Sequence, residues 1–188
     1  MSFTPEVANE GLAFKKKIKN IPYDKRVYVD ETFASAGLKK QKGRFPNGKK
    51  IATPQNRKYP RMTIIGAIRL SGFVRPSEIY NKGSIDTADF EKYVKTKLCP
   101  KLNKGDVVLW DRHGRSGRAK NPTALHCSPK ARTLIEKRGA TVLMLPRAGK
   151  YFDPIELIFG DSKKIFREKN SKSHEVPASF EDTLRQKS

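Results

Sequence analysis

Three acidic side chains stand where a folded chain could bring them together. Asp30 lies near the far end of RVYVDETF (26–33), with Glu31 beside it; Asp111 follows the apolar run VVLW (107–110) directly; and Glu156 opens the helix-like stretch DPIELIFGDSKKIFR (153–167). Three carboxylates gathered in one place repel one another unless a cation sits between them. Hard divalent ions such as Mg²⁺ or Mn²⁺ take oxygen ligands and leave positions open for water and substrate phosphate. Two such ions roughly 3.5–4 Å apart can activate an attacking oxygen and stabilise the leaving one in an in-line phosphodiester displacement. That is the chemistry these residue types allow.

Each acid also has a plainer reading. DPIE is a helix start in its own right, with Asp153 as N-cap, Pro154 at the first position and Glu156 closing a capping box. Asp30 and Glu31 could be ordinary strand-end charges, and Asp111 has Arg112 and Arg115 within reach along the chain. Position separates the readings, because three carboxylates at the matching ends of one sheet coincide by chance less often than any one does.

The elements that must position them follow from periodicity. RVYVDETF alternates apolar with polar residues and reads as a strand. Residues 37–60 are rich in lysine and arginine with Gly, Pro and Asn, and read as a second strand with a basic hairpin or loop; RMTIIGAIRL (61–70) reads as a third strand turned by Ser71 and Gly72. DTADFEKYVKTKL (86–98) has Asp86 as N-cap and apolar residues at helical spacing. DVVLWD (106–111) is a short strand of the kind buried on both faces. SPKARTLIEKRG (128–139) carries Ser128 as N-cap, Pro129 at the first helical position and Gly139 past the end. TVLMLP (141–146) is a further buried strand, and 153–167 an amphipathic helix. Three strands in succession, then helix, strand, helix, strand, helix, predict a mixed α/β (α+β) domain: a five-stranded mixed sheet with flanking helices, in the ribonuclease H-like order. If the first and fourth strands are neighbours, Asp30 and Asp111 meet, and the last helix supplies Glu156 from the side. The domain is expected over 25–168, between an N-terminal arm or marginal helix (1–24) and a polar tail (169–188).

Lysine and arginine number 40 against 19 acids in 188 residues, a formal net charge of +21. So one-sided a charge favours polyanions, with nucleic acid as the default partner; solubility alone is served as well by mixed charge. Cys99 and Cys127 form no CxxC pair and read as small apolar fillers in a reducing compartment. With no signal-peptide pattern and no long apolar run, the expectation is a soluble intracellular protein without a membrane partner, cytoplasmic and nucleoid-associated in a bacterium or nuclear in a eukaryote. The loop after Asp111, with Arg112, Arg115, Arg118 and Lys120, and the last helix, with Lys163, Lys164 and Arg167, are the candidate DNA-backbone contacts. Such contacts give affinity and salt dependence rather than sequence reading. Trp110 reads as packing below the site.

VYVDET, GDVVLWD with His126 downstream, and LPRAGKYFDPIELIFGDSKK together resemble the catalytic core of mariner-like and related insertion-sequence DDE transposases, over about residues 25–168. The family's segments read roughly DE after a strand, D followed by a downstream H, and LPPYSPDLNPIE leading into a helix. The last is the most specific, since LP, the residues 147–153 and PIE keep their length here. The resemblance implies Asp30, Asp111 and Glu156 as the metal-binding triad for two Mg²⁺ or Mn²⁺ ions, with His126 and Glu31 as candidate orienting residues. It also implies an endonuclease and strand transferase that cuts transposon ends and joins the freed 3′-hydroxyl to target DNA, working as a homodimer on DNA. The sequence departs from the pattern at Arg147, Ala148 and Gly149, which replace Pro, Tyr and Ser. It departs again at Asp153, in place of the usual Asn, at Arg112, and in GRSGRAKNPT (114–123), which reads as an insertion. The family's helix-turn-helix region has no counterpart ahead of residue 25, so it is expected to be separate or missing. Two other readings stay open: a catalytically inactive, strongly basic DNA-binding module derived from a transposase, and a ribonuclease H-type or junction nuclease using the same metal chemistry.

Overall fold

The computed structural model of the chain describes residues 4–35, 61–80, 83–111, 128–147 and 149–168. Five strands form one sheet: β1 (Arg26–Ser35), β2 (Arg61–Arg69), β3 (Gly72–Tyr80), β4 (Val107–Trp110) and β5 (Thr141–Met144), in the order β3-β2-β1-β4-β5. β1, β2 and β3 pair antiparallel, whereas β1 with β4 and β4 with β5 pair parallel. The helices are α1 (Pro5–Lys19), α2 (Thr87–Tyr93), α3 (Pro129–Glu136) and α4 (Ile155–Glu168). No helix among the described residues is long and apolar enough to cross a membrane.

Strand alternation divides the core between the two sheet faces. Val27, Val29, Ile65, Ala67, Val108 and Trp110 face α2 and α3, meeting Phe90, Val94, Leu98 and Ile135. The intervening residues face the other way. Met62, Ile64 and Ile68 receive Ile155 and Phe159 of α4, and Leu109 and Leu145 receive Phe14 of α1. Trp110, 1% exposed, stacks edge-on against Phe90 at 5.3 Å and donates its indole N–H to Met144 Sδ. Its expected packing role holds, and Cys99 is likewise a buried free thiol in that core.

Local chemistry explains the helix starts. Asp86 accepts from the backbone N–H of Asp89 while Asp89 accepts from that of Asp86, a reciprocal capping box. The Ser128 hydroxyl accepts from the Ala131 N–H ahead of Pro129. α2 ends earlier than its periodicity predicts: from Val94 to Leu98 the backbone widens to a π-helical turn, then tightens to a 3₁₀ turn at Cys99–Lys101, where Pro100 lacks the N–H to continue.

Two expectations are corrected. β3, the partner of β2, spans a segment taken for a turn and connection. Its Gly72 and Pro76 argue against a strand by propensity, yet β3 is the sheet edge, where a missing ladder N–H is tolerated. The strand expected within 37–60 lies outside the described residues. Asp30 is mid-strand rather than near the end of β1, because pairing with β2 continues to Ser35. The N-terminal segment, read as an arm or a marginal helix, is a fifteen-residue helix with buried Phe14, fastened at its far end by Arg26, whose guanidinium donates to the Ile18 and Ile21 carbonyls.

Candidate active site

The parallel β1–β4 ladder pairs Arg26 with Val107, Val27 with Val108 and Tyr28 with Leu109. Asp30 and Asp111 each stand two residues beyond that last pair, so they reach the same level on adjacent strands. Two residues on is also the same face. Tyr28 and Leu109 belong to the side covered by α1 and α4, so both aspartates belong to it as well. β5 then leads through Leu145 to a 3₁₀ turn (Gly149–Phe152) and into α4, which carries Glu156 in its first turn on that same side. Asp30 and Asp111 are half-buried and Glu156 is exposed.

Asp30 feels the charge of the acids around it. Its Oδ1 accepts the Glu31 backbone N–H at 2.8 Å, yet its carboxyl is pushed up to about 8, first by burial and then by the charges of Glu31, Asp153, Asp111 and Glu156. Burial and like charge act in the same direction on a carboxylate, since both disfavour its ionised form. Glu31 faces away from the site by alternation, along with Val29.

Asp153 is an acid that composition and periodicity gave no reason to place in the site. It is 5% exposed, its Oδ1 accepts the Ile155 N–H at 3.2 Å, and its charge bears on Asp30 ahead of those of Asp111 and Glu156. The signal was present as the departure from asparagine at that position. Asp153 thus caps α4 as its sequence suggests, but the reciprocal half of the capping box is missing. The Glu156 side chain makes no hydrogen bond or ion pair with the described residues, although its backbone N–H donates to the Asp153 carbonyl at 3.3 Å.

On the rest of α4, Lys163 Nζ lies 4.7 Å from the ring centroid of Phe33, and Lys164 and Gly160 are exposed. Arg167 lies in α4, but its side chain, like Arg112, Arg115, Arg118, Lys120 and His126, falls outside the described residues.

The donor set fits a hard divalent cation: it is all oxygen, and close enough to Asp30 for each acid to perturb it. Among the described residues no group of three acids, histidines or cysteines is drawn close enough to hold a metal ion.

The fold is a mixed α/β domain with two aspartates level on adjacent parallel strands. A family model described as DDE superfamily endonuclease matches residues 25–176. The chain belongs to that family. The fold is also that of solved Mos1 transposase structures. A paired-end complex with the left transposon end aligns with a TM-score of 0.63 at 12% identity, covering 99% of this chain and 63% of that one. A Mos1 mariner paired-end complex with Mn gives 0.63 at 14% identity, covering 99% and 64%. The Mos1 catalytic domain with raltegravir and Mg gives 0.54 at 12% identity, covering 99% and 97%. The chain therefore spans less than two thirds of the paired-end Mos1 chains and nearly all of that catalytic domain. A search of curated proteins by sequence finds no match.

Proposed function

We propose that this chain is the catalytic core of a DNA transposase, with Asp30, Asp111 and Glu156 as the acids that hold two Mg²⁺ or Mn²⁺ ions. The observation that carries the reading is the level placement of Asp30 and Asp111 beyond the Tyr28–Leu109 pair, on the face where α4 begins. Bound ions would polarise the phosphodiester and lower the cost of an attacking oxygen anion. The chain's own residues do the remainder. Asp30 holds a proton near neutral pH until a cation displaces it. Asp153 keeps the first turn of α4 in register through its bond to Ile155. Lys163 and Lys164 hold the DNA backbone beside Glu156, joined by the basic segment after Asp111. Transposon ends and target DNA are the proposed substrates, a homodimer the proposed assembly on them, and a helix-turn-helix region, separate or missing, the proposed seat of sequence recognition.

One observation favours a second reading. The acids are not closed around a common point among the described residues and Glu156 is exposed, which also suits a basic DNA-binding module without catalysis. Supercoiled plasmid separates the two. Nicking that requires Mg²⁺ or Mn²⁺ and disappears in a folded Asp111→Ala variant supports the enzyme. Wild type and variant behaving alike at every metal concentration leaves the binding module. Strand-transfer products, as opposed to hydrolysis alone, distinguish a transposase from a junction nuclease.

A further inference from the structure

We infer that α1 positions the catalytic acids, and that Glu10 is the residue through which it does so. The inference rests on the transposase reading above and adds an element to that site which no family pattern names. The connection from β5 into α4 departs from that pattern at Arg147, and that residue is held by α1. Glu10 Oε2 accepts the Arg147 backbone N–H at 3.1 Å and Oε1 accepts its Nε–H at 3.0 Å, while Glu6 accepts from the same guanidinium at 3.4 Å. α1 grips the other end of the connection as well. Phe152 meets Phe14 edge-on, with centroids 5.2 Å apart, and lies against Gly11, where a Cβ would stand 3.6 Å from its ring. Phe152 directly precedes Asp153, the cap of α4, and Glu156 follows in the first turn.

Between these two grips the connection has little slack. A Cβ at Gly149 would come within 2.8 Å of Leu145 Cβ, so the chain folds back tightly on the end of β5. α1 is itself anchored to the other half of the site. Phe14, 4% exposed, packs on Leu109, two residues before Asp111 on the same strand face. One helix therefore touches both the strand that presents Asp111 and the segment that presents Glu156. An exposed ion pair adds little to stability. Its effect here is geometric, because a residue that orients ligands tunes metal affinity without contacting the metal.

The test uses the full chain and Mn²⁺ itself, read through quenching of Trp110, the one tryptophan, which adjoins Asp111. Glu10→Ala is expected to weaken Mn²⁺ binding and slow plasmid nicking by about tenfold each, with KM for DNA unchanged. Its thermal midpoint should move by less than about 4 °C. Glu10→Gln keeps an acceptor for the Arg147 N–H and should recover most of the loss. If Glu10→Ala does not fold, Arg147→Gln, changed at an exposed side chain, carries the same comparison. Wild-type Mn²⁺ affinity and rate in Glu10→Ala, or in Arg147→Gln where it stands in, overturn the inference. So does a loss that follows the fall in thermal midpoint with Gln no better than Ala. An Asp111→Ala variant that still binds Mn²⁺ and nicks DNA overturns the transposase reading, and this inference with it.

Discussion

Asp30 stands directly across from Gly66 in the β1–β2 ladder, and the space a side chain at 66 would fill is taken by two aromatic rings. A Cβ there would lie 2.6 Å from Phe73 Cζ and 3.4 Å from Phe159 Cζ. Side chains directly opposite in an antiparallel pair are near neighbours. The rings over Gly66 therefore form an apolar wall beside the Asp30 carboxyl and contribute to the burial that raises its pKa. Gly66→Ala should cost about 1 kcal/mol, at the low end for overpacking because Phe73 is only half-buried and its ring can turn outward. Phe159 belongs to α4, so the same change should also slow nicking by displacing Glu156. Urea unfolding and plasmid assays on one preparation check both.

The raised Asp30 carboxyl gives a pH dependence of definite sign. The unfolded chain loses this proton near the ordinary carboxylate value of 3.8 and the folded chain only at about 8. Between those values the folded state binds more protons, so stability falls as pH rises. In EDTA, the thermal midpoint of the wild type should decline from pH 5 to pH 8.5 by more than that of Asp30→Asn. Mn²⁺ should remove the difference, since a cation favours the ionised form, and its uptake at pH 7 should release a proton measurable by calorimetry in buffers of different ionisation enthalpy.

How much of this was legible depended on what each residue had to satisfy. β4 and β5 are continuous apolar runs because both sheet faces are covered, and that pattern is readable. Ser128–Pro129 and Asp86 announce helix starts through local bonds that form wherever the segment lies. Asp111, at the mouth of β4, was legible for the same reason. β3 was not, because Pro76 is penalised in a central strand and tolerated at an edge, and edge position is a property of the assembled sheet. The role of α1 was hidden for a similar reason. Glu10 and Arg147 are far apart in the sequence, and no local pattern links them. Asp153 was visible as a departure, but its burial beside Asp30 follows only from the packing of α4 on β2.

At the opposite end of the sheet a buried ion pair should dominate stability without touching activity. Asp106 is 0% exposed; its Oδ2 accepts from Arg69 at 2.9 Å and from the Asn103 N–H at 2.8 Å, while Oδ1 is buried without a partner among the described residues. Arg69→Ala leaves that carboxylate without its countercharge, and breaking such a pair costs about 3 kcal/mol. Nicking per folded molecule should be unchanged, which distinguishes this variant from every change near Asp30.

The exposed face of α4 offers a final test, because stability and DNA binding should move in opposite directions there. Glu156, Leu157, Gly160 and Lys164 share that face by helical spacing, and Leu157 is 76% exposed although apolar. A Cβ at Gly160 would have nothing within 4 Å, so no packing in the fold requires glycine at this point. Glycine inside a helix is destabilising by roughly 0.5–1 kcal/mol relative to alanine, and Gly160→Ala should recover about that much. If DNA lies along this face, the flat step between Glu156 and Lys164 admits the backbone, and Gly160→Gln should weaken DNA binding severalfold while the chain becomes more stable. Its salt dependence should match the wild type, since no cation is removed. Lys164→Ala should weaken binding and reduce the slope of log K against log salt by about 1. Equal affinity for wild type and Gly160→Gln, measured by anisotropy on a labelled duplex, would mean that DNA does not cross this helix.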